Sequence, residues 1–250
     1  MTVPICNDAE HMVVLLSREV RDGEISACGA LSQIPAAALL LAKETHAPNA
    51  EVILLNTVFR PFGTSRQFHF LCQRGELGLF FLSGIQIDRY ANYNLHQLGP
   101  DKEHPTARFP GGYGGGMIYY MAKRTILFRT EHTRRTFVEK VDYVSSAGSS
   151  PPETIRGGHC HQVITPKAVF GFDKVAGILR LQSIHSPHTL DDIRANTGFD
   201  LGVGGPVPAT VPPTADELRV LREVVRPKMI ETGTYASFAE KTLGAPSAPA

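Results

Sequence analysis

Five of the six residues from Gly111 to Gly116 are glycine, in the run Pro110-Gly111-Gly112-Tyr113-Gly114-Gly115-Gly116. Residues without a Cβ let successive backbone N–H groups point into one concavity, which can hold an oxyanion or a phosphate. A helix beginning at Met117 would add its positive end to the same place. Gly111, Gly112, Tyr113, Gly114, Gly115 and Gly116 are therefore candidate substrate- and oxyanion-binding residues. The run matches neither the dinucleotide-binding fingerprint nor the phosphate-binding loop of nucleotide hydrolases. A flexible surface loop has the same composition, and glycine content alone does not choose between the two.

Two further candidates follow apolar runs. Ser83-Gly84-Ile85-Gln86-Ile87-Asp88-Arg89-Tyr90-Ala91-Asn92 comes directly after Leu77 to Leu82, and α/β proteins place ligand groups beyond the carboxyl ends of such strands. Gln86 and Asp88 share one face if the backbone stays extended, although a self-satisfied polar turn is the plainer alternative. Asn56 and Thr57 end the run Glu51 to Leu55 in the same way. Gln86 and Asn56 are the candidate catalytic residues. His159-Cys160-His161 invites a metal, but on a strand the two imidazoles face one side and the thiol the other, so no metal is expected. His132, Arg134, Arg135 and Lys140 read as a basic, solvated edge, or a surface for a partner or for phosphates.

These segments need a frame to hold them. Asn7 and Glu10 form a capping box for a helix from Asp8 to Val20. Glu24 to Cys28 reads as a strand, Ser32 to Lys43 as a helix that Pro48 cannot extend, and Glu51 to Leu55 as a buried parallel strand. Strand, helix and strand in that order make a βαβ unit. Strands are expected at Leu77 to Leu82, Ile85 to Ile87, Arg124 to Phe128, Phe137 to Val144, Gln162 to Ile164, Ala168 to Phe172 and Ile178 to Ile184. The later ones follow too closely for intervening helices, so the second half should be mixed or antiparallel. Thr189 starts a short helix from Leu190 to Ala195. Thr214 and Glu217 cap another from Thr214 to Val225, which Pro227 should end. The expected fold class is α/β, an open mixed sheet flanked by helices, as one domain over residues 1–243 with a disordered tail at 244–250.

With 25 basic and 24 acidic residues the net charge is +1. That balance gives no electrostatic footprint for nucleic acid or an anionic membrane surface. Ala36 to Ala42, the longest helix-like apolar stretch, is far short of the ~20 residues needed to span a bilayer. No secretory leader is expected, because Asp8 and Glu10 fall where its apolar core would be. Cys6, Cys28, Cys72 and Cys160 are scattered without a Cys-x-x-Cys pair, which suggests reduced thiols and a cytoplasmic location.

Taken in order, the segments resemble the β subunit of family I coenzyme A-transferases. The resemblance rests on residues 83–92, on Gly111 to Gly116, and on Thr-Arg-Arg-Thr-Phe-Val-Glu-Lys-Val-Asp-Tyr at 133–143. It continues at Ala-Val-Phe-Gly-Phe-Asp 168–173, Ser-Ile-His 183–185, and 189–201. It implies the open α/β fold shared with sugar-phosphate isomerases, and an α-type partner subunit in an α₂β₂ complex. It also implies a cleft between subunits with the glycine loop near the thioester, and no cofactor beyond the coenzyme A carried by the substrate.

In those transferases a glutamate after the second strand attacks the acyl-CoA and becomes a glutamyl-CoA thioester. That position falls at or next to Asn56, and no Glu or Asp occurs between Val52 and Gln73. An amide cannot form the required anhydride. A branch resembling steroid ring-cleaving acyl-CoA hydrolases also departs from the transferase pattern here. It adds water to a cyclic ketone on a CoA thioester, using a glutamate of the α subunit as base. The expected function is thus a ring-opening or carbon–carbon hydrolase or lyase of acyl-CoA, with its base on the partner. A true CoA-transferase using Glu76 or Glu51, a non-catalytic β subunit, and a sugar-phosphate binder are the alternatives.

Overall fold

The fold is described from a computed structural model, in which residues 6–55, 57 and 61–245 are described. Asn56 lies outside the described residues, as do 58–60 and most of the expected tail, 246–250. The chain divides into two compact units. One comprises Met1–Phe68, Leu77–Phe81 and Val211–Ala250, and the other His69–Glu76 and Leu82–Thr210.

The first unit opens with helix α1, Asp8–Ser17, where the expected capping box forms: Asn7 Oδ1 accepts from the Glu10 amide and Glu10 reaches back to the Asn7 amide. Strand β1 is Ile25–Cys28, helix α2 Gln33–Glu44 and strand β2 Glu51–Leu54. Helix α3, Ser65–Gln73, was not expected from the sequence, and strand β3 follows at Leu77–Leu82. Strand β1 pairs in parallel with both β2 and β3, so the expected βαβ unit is present. Helix α2 packs on α1 and on strands β1 and β2, and Ala36 to Ala42 are all buried.

The second unit takes in α3 from His69 onward and then short strands: β4 at Gln86–Ile87, β5 at Tyr93–Asn94, β6 at Gln97–Leu98 and β7 at Ala107–Arg108. Helix α4, Gly115–Met121, leads to strands β8 Arg124–Phe128, β9 Cys160–Ile164, β10 Ala168–Asp173 and β11 Ile178–Ile184, then helix α5 Leu190–Asn196. Strand β8 pairs in parallel with β9, whereas β9, β10 and β11 pair antiparallel, which is the mixed pattern expected. Tyr93, Tyr119, Phe137, Phe170 and Leu127 fill its core.

Three expectations fail. Phe137 to Val144 is not a strand; Phe137 makes one isolated bridge to Ile87. Gly198 occupies the space beside this backbone, donating to the Phe137 carbonyl, and leaves no edge for a ladder. His132 is not on a solvated edge but buried, bridging the hydroxyls of Thr165 and Thr197. Pro227 does not end its helix. Helix α6, Ala215–Val220, passes through a π-helical turn at Leu221–Val225 into α7, Arg226–Glu231, and α8 follows at Ala236–Thr242. The wider turn makes room for the proline ring, which would strike the carbonyl four residues back in a regular helix. Among the described residues no helix is long and apolar enough to cross a membrane.

Candidate functional site

The glycine loop belongs to the second unit, and its backbone is specific. Gly111 has φ +91° and Tyr113 φ +48°. The Gly111 amide donates to the Leu95 carbonyl and the Gly115 amide to the Gly112 carbonyl, closing the turn into α4. Helix α4 starts at Gly115, two residues before the expected Met117, so the last two glycines lie in its first turn. The amides of Gly112, Tyr113, Gly114, Gly116 and Met117 have no hydrogen-bond acceptor among the described residues.

Each glycine near the turn faces a polar side chain from elsewhere in the unit. A Cβ on Gly111 would lie 3.0 Å from His96 Nε2, and one on Gly114 2.6 Å from His69 Nε2. On Gly115 it would meet Tyr93 Oη at 2.9 Å, and on Gly116 Ser146 Oγ at 3.1 Å. Close approach, more than positive φ, therefore accounts for Gly114, Gly115 and Gly116. Tyr113, at the tip, is 92% exposed.

These neighbours are themselves held. Tyr93 is fully buried, sits edge-on to Tyr119 with ring centroids 5.3 Å apart, and shares a 3.1 Å hydrogen bond with Ser146 Oγ. Burial raises its phenol above the usual range. His96 Nδ1 lies 2.5 Å from Ser145 Oγ, which also accepts from the Leu95 amide at 2.7 Å, and its ring packs 4.9 Å from that of Tyr143. Arg156 ties the Ser145 segment to α4. Its guanidinium donates to the carbonyls of Ala147, Gly158 and Tyr119 and to Ser150 Oγ, and lies over the rings of Tyr119 and Tyr120.

Gln86 is buried and bound into a frame. Its Nε2 donates to Asp142 Oδ2 at 3.1 Å, while its Oε1 accepts from Asn94 Nδ2 and from the Asp142 amide, both at 2.9 Å. Asp88 accepts from the amides of Tyr90 and Asn92 and from Asn92 Nδ2, a self-satisfied turn. Burial still lifts its carboxyl above the ordinary range. A cleft of about 1000 Å³ lies beside this turn, lined by Arg89, Tyr90, Lys140 and Phe199 among others. Among the described residues no His, Cys, Asp and Glu cluster could hold a metal ion, and Cys160 is a buried thiol pushed up to about 12.

The sequence pointed to the glycines but not to His69, His96, Tyr93 or Ser146, which meet them only through the fold. His96 stands two residues after Asn94 and gave no spacing signal.

The coenzyme A transferase family matches residues 55–196. One of the subunits of glutaconate CoA-transferase from Acidaminococcus fermentans is 26% identical, covering 87% of this chain and 92% of that one. The cholesterol ring-cleaving hydrolase IpdB subunit of Rhodococcus jostii is 34% identical over a stretch covering 58% of each chain. The crystal structure of Rhodococcus jostii IpdAB superposes with a TM-score of 0.79 at 23% identity, covering 97% of this chain and all of that one. With a match over more than half its length, this chain belongs to the coenzyme A transferase family.

Proposed function

We propose that this chain is the β-type subunit of a heteromeric enzyme acting on an acyl-CoA thioester as a ring-opening or carbon–carbon hydrolase or lyase, its catalytic base on an α-type partner in an α₂β₂ complex. The observation that carries it is the lack of a usable carboxylate. No Glu or Asp occurs between Val52 and Gln73. The nearest alternatives stand at the wrong ends of their strands: Glu51 opens β2, and Glu76 precedes β3 and pairs with Arg74 at 2.8 Å. Ligands of α/β sheets lie at the carboxyl ends.

The glycine loop supplies what such a reaction needs from this subunit. Water adding to a ketone, or a carbon–carbon bond breaking beside one, develops negative charge on oxygen. Preoriented amides of Gly112, Tyr113 and Gly114 stabilise that charge without reorganising. Gln86 positions this wall through Asn94 and Asp142 rather than touching substrate, and Asn56, an amide, does not act as a nucleophile. No cofactor is required beyond the coenzyme A of the substrate.

The long alignment with a transferase subunit favours the second reading, a true CoA-transferase. Incubating the complex with acyl-CoA and borohydride, followed by mass spectrometry, separates the two. A reduced glutamyl residue on this chain establishes the transferase; an unmodified chain in a complex that consumes acyl-CoA supports the hydrolase or lyase.

A further inference from the structure

We propose that His96 is a catalytic residue of this site, its Nε2–H donating a hydrogen bond to the substrate oxygen that the glycine-loop amides also address. The inference deepens the acyl-CoA reading and rests on it. Three restraints leave only one edge of the ring available. Ser145 Oγ holds Nδ1 at 2.5 Å, Tyr143 covers the ring at 4.9 Å, and the Leu95 amide fixes the serine at 2.7 Å. The opposite edge, Nε2 and Cδ2, faces Gly111 at 3.0 and 3.2 Å from where a Cβ would be. Glycine at 111 leaves that edge uncovered, and Nε2 has no partner among the described residues without being a buried orphan.

Ser145 Oγ is assigned as the donor to Nδ1. Ser145 Oγ already accepts from the Leu95 amide, and its own proton has one acceptor among the described residues, Nδ1 of His96. Donation by the serine makes Nδ1 the acceptor and puts the ring proton on Nε2. Nε2–H is then a donor held at the mouth of a loop in which the amides of Gly112, Tyr113 and Gly114 have no acceptor among the described residues. A donor of this kind acts only as charge develops, so it raises turnover more than affinity. No proton needs to leave the ring.

The test uses the full chain assembled with its α-type partner. Two variants divide the roles: His96→Phe keeps the ring packing without a donor, and His96→Gln places an amide N–H near the position of Nε2. Expected is a fall in kcat of about 100-fold or more for His96→Phe with KM within a few fold, and recovery of most of the loss in His96→Gln. Independently of any variant, ¹⁵N-histidine spectra of the wild-type complex should show the Nε2–H tautomer. That resonance should move on adding acetyl-dethia-CoA, in which a methylene replaces the thioester sulfur. Wild-type kcat in His96→Phe, an Nδ1–H tautomer, or a resonance unmoved by bound analogue would overturn the proposal and leave the acyl-CoA reading standing. A wild-type complex that neither binds the analogue nor consumes any acyl-CoA overturns both.

Discussion

Replacing Gly115 by alanine sets two opposed effects against each other. Gly115 is the first residue of α4 and has an ordinary helical backbone, so alanine should gain up to about 1 kcal/mol from helix propensity. The new methyl would, however, lie 2.9 Å from Tyr93 Oη. Tyr93 cannot swing aside: its ring is fully buried against Tyr119, its hydroxyl is bound to Ser146, and its amide and carbonyl are both paired across to residues 145 and 146. Overpacking against such a neighbour costs about 2 kcal/mol. The net expectation is a loss of about 1 kcal/mol, or about 3 °C in Tm for a chain of this size. Gly114→Ala is the contrast. Its methyl would meet His69 Nε2 at 2.6 Å, the far end of a half-buried side chain and not a fully buried one, so the loss should be smaller than for Gly115→Ala. Urea denaturation of Gly115→Ala, Tyr93→Phe and the double variant completes the cycle. Deleting the hydroxyl removes the atom the methyl meets, so the double variant should be more stable than additivity predicts by about 1 kcal/mol. Additive effects, or a Gly115→Ala protein more stable than wild type, would refute the steric account of these glycines.

Burial holds the His132 imidazole neutral, with its pKa pushed down from 6.5 to about 4. The unfolded chain therefore takes up the proton first, so the contribution is complete above about pH 6.5 and is lost as pH falls towards 4. His132→Gln should flatten the slope of unfolding free energy across that window; an unchanged slope would assign acid sensitivity elsewhere. Burial would raise the Glu10 carboxyl, but bonds from Arg222 and from the amides of Gly244 and Asn7 outweigh it and hold it below the usual range. Arg222→Met should cost about 2 kcal/mol in denaturant unfolding, since it strips two charged hydrogen bonds from a buried carboxylate. Burial raises all four thiols, but Cys28, Cys72 and Cys160 are buried, whereas Cys6 is partly exposed. A thiol reagent on native protein should label Cys6 first, as peptide mapping can show.

What could be read from sequence follows the range of the interactions involved. The caps at Asn7, Thr189 and Thr214 are decided within four residues, and all three form. Strands β3, β8 and β10 are apolar runs with clear ends, and they too appear where expected. Helix α3 does carry a local start signal that went unread, Thr64 with Gln67 three residues on, whose Oε1 accepts from the Thr64 amide, but its apolar face, with Phe68 packed on Phe62 and Phe80, emerges only in three dimensions. Residues 137–144 carry a strand-like alternation, but Gly198, some sixty residues on, takes the space that a pairing partner would need. Pro227 has the local chemistry of a helix end, and a wider turn of helix accommodates it. At the site, the glycines were visible as composition. The reasons for them, side chains at 69, 93, 96 and 146, were not.

The Arg156 strap has a consequence for how the site opens. Helix α4 has seven residues, too few to persist in water by itself. Its carbonyls at Tyr119 and Tyr120 are bound by Arg156 and by the Gly158 amide, and Tyr120 donates in turn to the Ile155 carbonyl. Helix and strap are thus one cooperative unit for local unfolding, and neither can fray without releasing the other. Amides of α4 and of residues 145–158 should then exchange with solvent at a shared opening free energy. A ligand resting on the glycine loop would slow exchange in both segments together, including residues that it never touches.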